Sequence, residues 1–200
     1  MIVNPQIFLN QHEVNICLKK AKERQANRER SRSIDLAPKD LDPLQLNVIG
    51  MFGEVAVHRY LDAPINWYKI GANEFTGDSD VSGMIEVRTT TPKPYRLNGT
   101  ELDLRERDLS DRRMQKTLTS CWIKVVVKLQ PEKDPQCTLL GWSMGYEILA
   151  HNTLQPRKKG AGFCVYQPDN RLNSMLPPLA LRQRIKTLQT IANQTYEAHF

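Results

Sequence analysis

Long apolar runs are missing from this chain. The best of them, Ile123 to Val127, already contains Lys124 and is closed by Lys128, far short of the ~20 apolar residues a bilayer span needs. The amino terminus puts its apolar residues first (Ile2, Val3, Ile7, Phe8, Leu9) and its basic ones later, the reverse of a secretory signal. Cysteine is scarce: Cys17, Cys121, Cys137 and Cys164 are scattered without a C-x-x-C pair, so reduced thiols are expected and not a zinc site or disulfide framework. His12, His58, His151 and His199 show no metal-ligand spacing. Lys158-Lys159-Gly160-Ala161-Gly162 is no P-loop, because its lysines precede its glycines. Aromatics make up only 7% of residues and rarely interleave with basic ones, which argues against a platform for stacking single-stranded bases. There is no internal repeat and no low-complexity tract. The expectation is a soluble, cytoplasmic protein with no membrane association.

What is present suits one folded domain. The chain has 200 residues, 40% hydrophobic and 25% charged, and a chain of this size buries roughly 70% of its unfolded surface without staples. We read 1–200 as a single domain, with a basic N-terminal helix and loop over 1–41 and a core plus C-terminal helix over 42–200. Lys+Arg 28 against Asp+Glu 22 leaves a net charge of +6, which favours a polyanionic partner.

Periodicity predicts a helix from Gln6 to Gln25, with Phe8, Leu9, Val14, Cys17, Leu18 and Ala21 as its partial apolar stripe. It runs into Lys19 to Arg32, fourteen residues with seven basic and two acidic side chains. Within that run Lys19, Lys20, Lys22, Arg24, Arg28 and Arg30 are candidate contacts to a nucleic-acid backbone, against the plainer reading of a solvated helix face. Asp42-Pro43 has the chemistry of a helix start, and Leu44, Val48, Met51, Phe52 and Val55 give that helix a core side. Gly50 and Gly53 lie in its interior, where each costs about 1 kcal/mol relative to Ala. Close approach of the helix backbone to a neighbour is the expected reason. Short strands are predicted at Asn66–Ile70, Met84–Thr91, Cys121–Leu129 and Thr138–Trp142, with a turn at Pro131–Pro135 and a polar, Arg-rich stretch at Leu97–Lys116. Helices are predicted at Tyr146–Ala150 and Leu179–Ala198. The fold class is therefore α/β or mixed α+β.

The informative segment is Asp80-Val81-Ser82-Gly83-Met84-Ile85-Glu86-Val87-Arg88. Strand alternation puts Glu86 and Arg88 on one face and Ile85 and Val87 on the other. A turn at Ser82-Gly83 brings the Asp80 carboxylate back beside Glu86. Two adjacent carboxylates call for a compensating cation, and hard divalent ions take oxygen ligands. Acid, acid and base on one sheet edge make a plausible site for phosphodiester hydrolysis. Asp78 competes for the place of Asp80, which is preferred because it directly precedes Val-Ser-Gly. Each residue also has a plainer reading: Asp80 as a turn aspartate capping its own backbone, Glu86 and Arg88 as solvated strand residues, Glu54 as a surface glutamate.

With Gly50-Met51-Phe52-Gly53-Glu54 on a helix, then Asp80, then Glu86-Val87-Arg88, the chain resembles the PD-(D/E)XK, or restriction-endonuclease-like, nuclease superfamily. The strand Leu139-Leu140-Gly141-Trp142 and the helix after it also resemble the later core of small, often phage-encoded members. About a dozen residues match the motif itself. The resemblance implies a restriction-endonuclease-like core, a central mixed sheet of four to five strands flanked by helices, here with an extra N-terminal helix. It implies a Mg²⁺- or Mn²⁺-dependent nuclease acting on DNA. Asp80 and Glu86 would bind the metal with the backbone carbonyl of Val87, and Glu54 would hold a metal-bound water or a second ion. Arg88 stands at the superfamily's lysine position. Lys can shed its proton, whereas Arg stays charged and presents a planar fork, so the substitution also fits a weakened or inactive nuclease fold serving as a nucleic-acid-binding or assembly module. The partner expected is nucleic acid, with a homodimer or a partner protein also allowed for, and selectivity would come from the core itself or from such a partner.

A different class of function is written at Gly141-Trp142-Ser143-Met144-Gly145, which fits G-x-S-x-G, with Asp169 and His199 following in hydrolase order. Too few strands precede it, no oxyanion loop is visible, and His199 is one residue from the chain end. A serine hydrolase using Ser143 ranks third.

Overall fold

The structure is a computed structural model describing residues 4–31, 42–70, 80–92, 102–105, 109–131, 133–151, 154–156, 163–167 and 172–199. Asn10 decides where the first helix begins. Its side chain accepts from the Glu13 N–H at 3.0 Å, and the Glu13 carboxylate accepts from the Asn10 N–H at 2.9 Å. This reciprocal capping box starts α1 at Gln11 and lets it run to Ser31. The residues before the cap are extended: Gln6–Phe8 form β1, antiparallel to residues 136–138 of β5 (Lys133–Met144). The helix expected from Gln6 is corrected accordingly, because the cap outweighs a partial apolar stripe.

Helix α2 (Pro43–Tyr60) begins as the sequence indicated. Asp42 caps it by accepting from the Leu44 N–H at 3.0 Å, and Pro43 occupies the first turn. At its far end Arg59 donates to the Phe8 carbonyl and pairs with Glu13 at 3.2 Å, tying α2 to β1 and the start of α1. The Tyr60 hydroxyl donates to the Leu176 carbonyl.

Strand β2 (Ile85–Thr90) lies parallel to β4 (Cys121–Gln130). Parallel neighbours need a crossover of a dozen residues or more, and here it carries β3 (Leu102–Arg105) and α3 (Asp111–Thr119). Both fall in or beside the stretch expected to be merely polar. β4 turns tightly into β5, and the central sheet has the order β1-β5-β4-β2 with mixed direction. The ladder slips between Lys124 and Val125, so that Leu140 is the extra residue on β5. That bulge changes the parity of β5. Leu139 and Cys137 on one side of it, and Trp142 and Met144 on the other, thereby face the same core.

Two further expectations are corrected. Asn66–Ile70 is a turn and not a strand: the Asn66 side chain accepts from the Tyr68 N–H at 3.1 Å, and its carbonyl accepts from the Lys69 N–H at 2.9 Å. A local Asn hydrogen bond outcompetes the strand. The turn placed at Pro131–Pro135 is shorter, since β5 already begins at Lys133. Pro135 is tolerated there because its carbonyl, accepting from the Leu9 N–H at 3.1 Å, is the group in use. After β5 come α4 (Gly145–His151), β6 (Leu154–Pro156), β7 (Phe163–Gln167) and α5 (Pro178–His199). β3, β7 and β6 form a second antiparallel sheet that the sequence did not announce.

The main core lies on the face of the central sheet that carries Ile85, Val87, Ile123 and Val125. Val48, Phe52, Val55 and Ala56 of α2 and Leu181 and Ile185 of α5 join it. Gly53 is where α2 presses on β2: a Cβ there would stand 2.1 Å from the Thr89 hydroxyl. The expectation for Gly53 holds. Gly50 has open space where its Cβ would be, so close packing does not explain it. Among the described residues no helix is long and apolar enough to cross a membrane.

Candidate active site at the edge of the central sheet

The turn before β2 returns Asp80 to the strand. Ser82 and Gly83 both take positive φ, 53° and 67°, and Val81 exchanges backbone hydrogen bonds with Ile85 at 3.0 and 3.1 Å. Glycine is at ease there and serine is strained. Asp80 then reaches past Ile85, and its Oδ2 accepts from the Val87 N–H at 2.7 Å. In the described sheet β2 is an edge strand. The Val87 N–H therefore points away from β4, and since a residue's N–H and C=O share one side of a strand, the Val87 carbonyl faces the same edge.

Glu86 and Arg88 project to the face opposite Ile85 and Val87, as alternation required. Parallel register sets Glu86 beside Trp122 and Arg88 beside Lys124, and the ladder continues to Ser143 and Gly141 on β5. Glu86, Lys124 and Ser143 are buried. Lys116 of α3 places its Nζ 2.8 Å from Glu86 Oε1. The Arg88 guanidinium carbon lies 4.4 Å from the centroid of the Trp122 ring, within range of a cation–π contact.

This setting shifts Asp80. Burial pushes its carboxyl from the ordinary 3.8 up to about 7, and the charge of Glu86 adds to the rise. The Val87 N–H, Arg88 and Lys116 pull in the other direction. An acid that is hard to ionise, beside a second carboxylate and two cations, is the kind of perturbed cluster that marks functional sites.

The remaining candidates are on α2 and α1. Glu54 is half-buried on α2; its charge and that of Glu13 add to the burial that lifts the Cys17 thiol to about 12, and it is not among the charges that shift Asp80. His58, one turn further on, is buried against the Asp80 backbone. Burial lowers its pKa, opposed by hydrogen bonding to the backbone of Asp80, Pro64 and Ala63. Lys19 and Lys22 are exposed, and Lys20 and Arg24 half-buried, on α1, the helix packed along α2 on the apolar side of the sheet. Those basic residues do not share the face of Glu86 and Arg88. The side chains of Arg28 and Arg30, as well as Asp78 and Asp169, lie outside the described residues.

Lys116 is the candidate site residue missed in the sequence, where it only closed a polar, Arg-rich stretch. Its partner is thirty positions away, and only the β2–α3–β4 crossover brings them together. Ser143 carries a different message: it is fully buried, and its hydroxyl donates to Glu147 Oε2 at 3.0 Å, as does the Met144 N–H at 2.8 Å. The serine belongs to the structural cap of α4.

Among the described residues no three His, Cys, Asp or Glu side chains converge on one point. Asp80, Glu86 and the Val87 carbonyl nevertheless form an oxygen-only set at an edge. The Glu86 charge adds to the cost of ionising Asp80, which suits a hard divalent cation. Comparison with known proteins returns nothing: no family model, no curated protein and no solved structure matches the chain.

Proposed function

We propose that the chain is a divalent-cation-dependent nuclease that hydrolyses DNA phosphodiester bonds at the β2 edge. One observation carries this reading: two carboxylates, Asp80 and Glu86, share an edge with Lys116 and Arg88, and Asp80 is pushed to about 7. Mg²⁺ or Mn²⁺, held by Asp80, Glu86 and the Val87 carbonyl, would neutralise that pair and supply Lewis-acid stabilisation of the phosphate under attack.

The chain's own groups do the rest. Water attacks phosphorus, the opposite P–O bond breaks with its electron pair on the departing oxygen, and the proton that the water sheds passes through solvent to that oxygen. Arg88 remains charged and offers a fork of donors to the phosphate oxygens. Lys116 supplies the mobile ammonium that Arg88 cannot, and can pass from Glu86 to a phosphate oxygen. Glu54 holds a water from the α2 side. The +6 net charge draws the backbone in.

The test is incubation with supercoiled plasmid, linear duplex and single-stranded DNA under Mg²⁺ or Mn²⁺. Cleavage that disappears in Asp80→Asn/Glu86→Gln supports the reading, and cleavage unaffected by that double change refutes it. A second reading is favoured by the 2.8 Å Lys116–Glu86 pair, which already neutralises one carboxylate: a nuclease fold that binds nucleic acid or assembles without cutting. Salt-dependent DNA affinity with no metal dependence and no cleavage would select it.

A further inference from the structure

We propose that Trp122 is the positioning residue of this site, its ring carrying the Arg88 guanidinium and its Nε1–H anchoring the helix turn that delivers Lys116. The inference rests on the reading of Asp80 and Glu86 as the cleavage site.

Trp122 is 1% exposed, so no base can stack on it; its partners are within the protein. Ile148 is buried beside it, with Leu109, Leu149 and Leu172 around them, in a cluster separate from the main core. One face of the ring takes Arg88 at 4.4 Å. The Nε1–H donates to the Thr117 carbonyl at 3.2 Å, and Thr117 directly follows Lys116, whose ammonium is on Glu86. A single indole thus touches the strand that carries one cation and the helix turn that carries the other.

Gly145 locks this arrangement from behind. A Cβ at Gly145 would stand 1.7 Å from the Thr117 carbonyl oxygen and 3.0 Å from Trp122 Nε1. The Gly145 N–H donates to the Ser120 carbonyl at 3.0 Å, and the Ser120 N–H to the Lys116 carbonyl at 2.9 Å. Only glycine lets the start of α4 come this near. The C-terminal turn of α3 is therefore held by backbone contacts on one side and by the indole on the other, which fixes the backbone from which the mobile Lys116 ammonium reaches Glu86.

The test separates the two roles of the ring. Trp122→Phe keeps a π face under Arg88 and deletes the Nε1–H, whereas Trp122→Leu deletes both. By NMR, the Arg88 Nε–H resonance, displaced by the Trp122 ring current, should stay displaced in the Phe variant and relax in the Leu variant. The Lys116 ammonium resonance should move in both. With Mn²⁺ and plasmid, kcat should fall about threefold in the Phe variant and about thirtyfold in the Leu variant, with KM within about twofold. In an Arg88→Gln background the Leu change should add only the loss already seen with Phe, because the ring then has no guanidinium to carry. A folded Leu variant with unmoved Arg88 and Lys116 resonances, or with wild-type kcat, overturns the proposal. Should the Leu variant not fold, the Phe variant decides alone, and an unmoved Lys116 resonance overturns it. A wild type that cuts no DNA would refute the cleavage reading, while the resonance shifts still support or overturn the positioning.

Discussion

On one face of the central sheet Ile85, Val87, Ile123 and Val125 meet the apolar side of α2; on the other, Glu86, Arg88, Trp122 and Lys124 lie beside α3 and α4. Both faces come from the same two strands by simple alternation, and both are largely buried. They differ in what the burial costs. Removing an aliphatic side chain from water stabilises the fold by about 1.5–3 kcal/mol, so the first face is an asset wherever it is covered. A buried charge is a liability unless paired. The second face is assembled from partners: Lys116 on Glu86, Arg88 on Trp122, the Val87 N–H on Asp80. Apolar packing and charge pairing are thereby divided between the two sides of one sheet.

That division can be broken experimentally, and the largest effect belongs to the charged edge. Asp80→Asn/Glu86→Gln should lower DNA cleavage at least about a thousandfold, with a melting temperature no lower than wild type, as followed by gel assay and calorimetry. Val125→Ala on the apolar face should do the reverse. It should cost about 2–3 kcal/mol in denaturant melts and leave the cleavage rate at 25 °C unchanged.

The two glycines of α2 sharpen the contrast within a single helix. Gly53→Ala must push against Thr89 and should destabilise by about 2 kcal/mol. Gly50→Ala meets open space and should stabilise by about 1 kcal/mol. Equal effects in chemical denaturation would contradict the packing described for α2.

pH separates the faces more gently. The raised Asp80 carboxyl binds its proton more tightly in the folded protein than in the unfolded chain. The stability it contributes is therefore complete below its ordinary 3.8 and is lost as pH climbs to about 7. Unfolding free energy in metal-free buffer should decline over that window, and Asp80→Asn should flatten the decline. The smallest effect is expected on α1: Lys19→Ala/Lys22→Ala should weaken DNA binding less than about twofold at moderate salt, whereas Lys116→Ala should also reduce the salt slope by about one. A larger effect from the α1 pair would move the DNA path to the apolar side of the sheet.

Much of this was legible along the chain, and the legible parts have a common character. Asp42 and Pro43 start a helix because capping is decided within three residues. Glu86 and Arg88 share a face because strand geometry has period two. Asp80 returns to β2 because Ser82-Gly83 is a turn a few residues away. What escaped is just as consistent. Asn10 and Glu13 make a cap that was hidden by a competing apolar stripe. Asn66 uses its side chain where β-propensity suggested a strand, and the second sheet is built from strands of three to five residues, too short to show a period.

The amino-acid sequence by itself determined the local rules: which residues alternate, where helices are capped, and which carboxylate folds back on which strand. Those are interactions between near neighbours, fixed by backbone geometry and hydrogen-bonding chemistry before any long-range contact forms. Only the tertiary structure decided that Lys116 neutralises Glu86, that Arg88 rests on Trp122, and that the basic stretch of α1 belongs to the other side of the sheet. These depend on a crossover, on parallel register and on the packing of helices against opposite faces. A net charge says nothing about which face of a sheet will carry it.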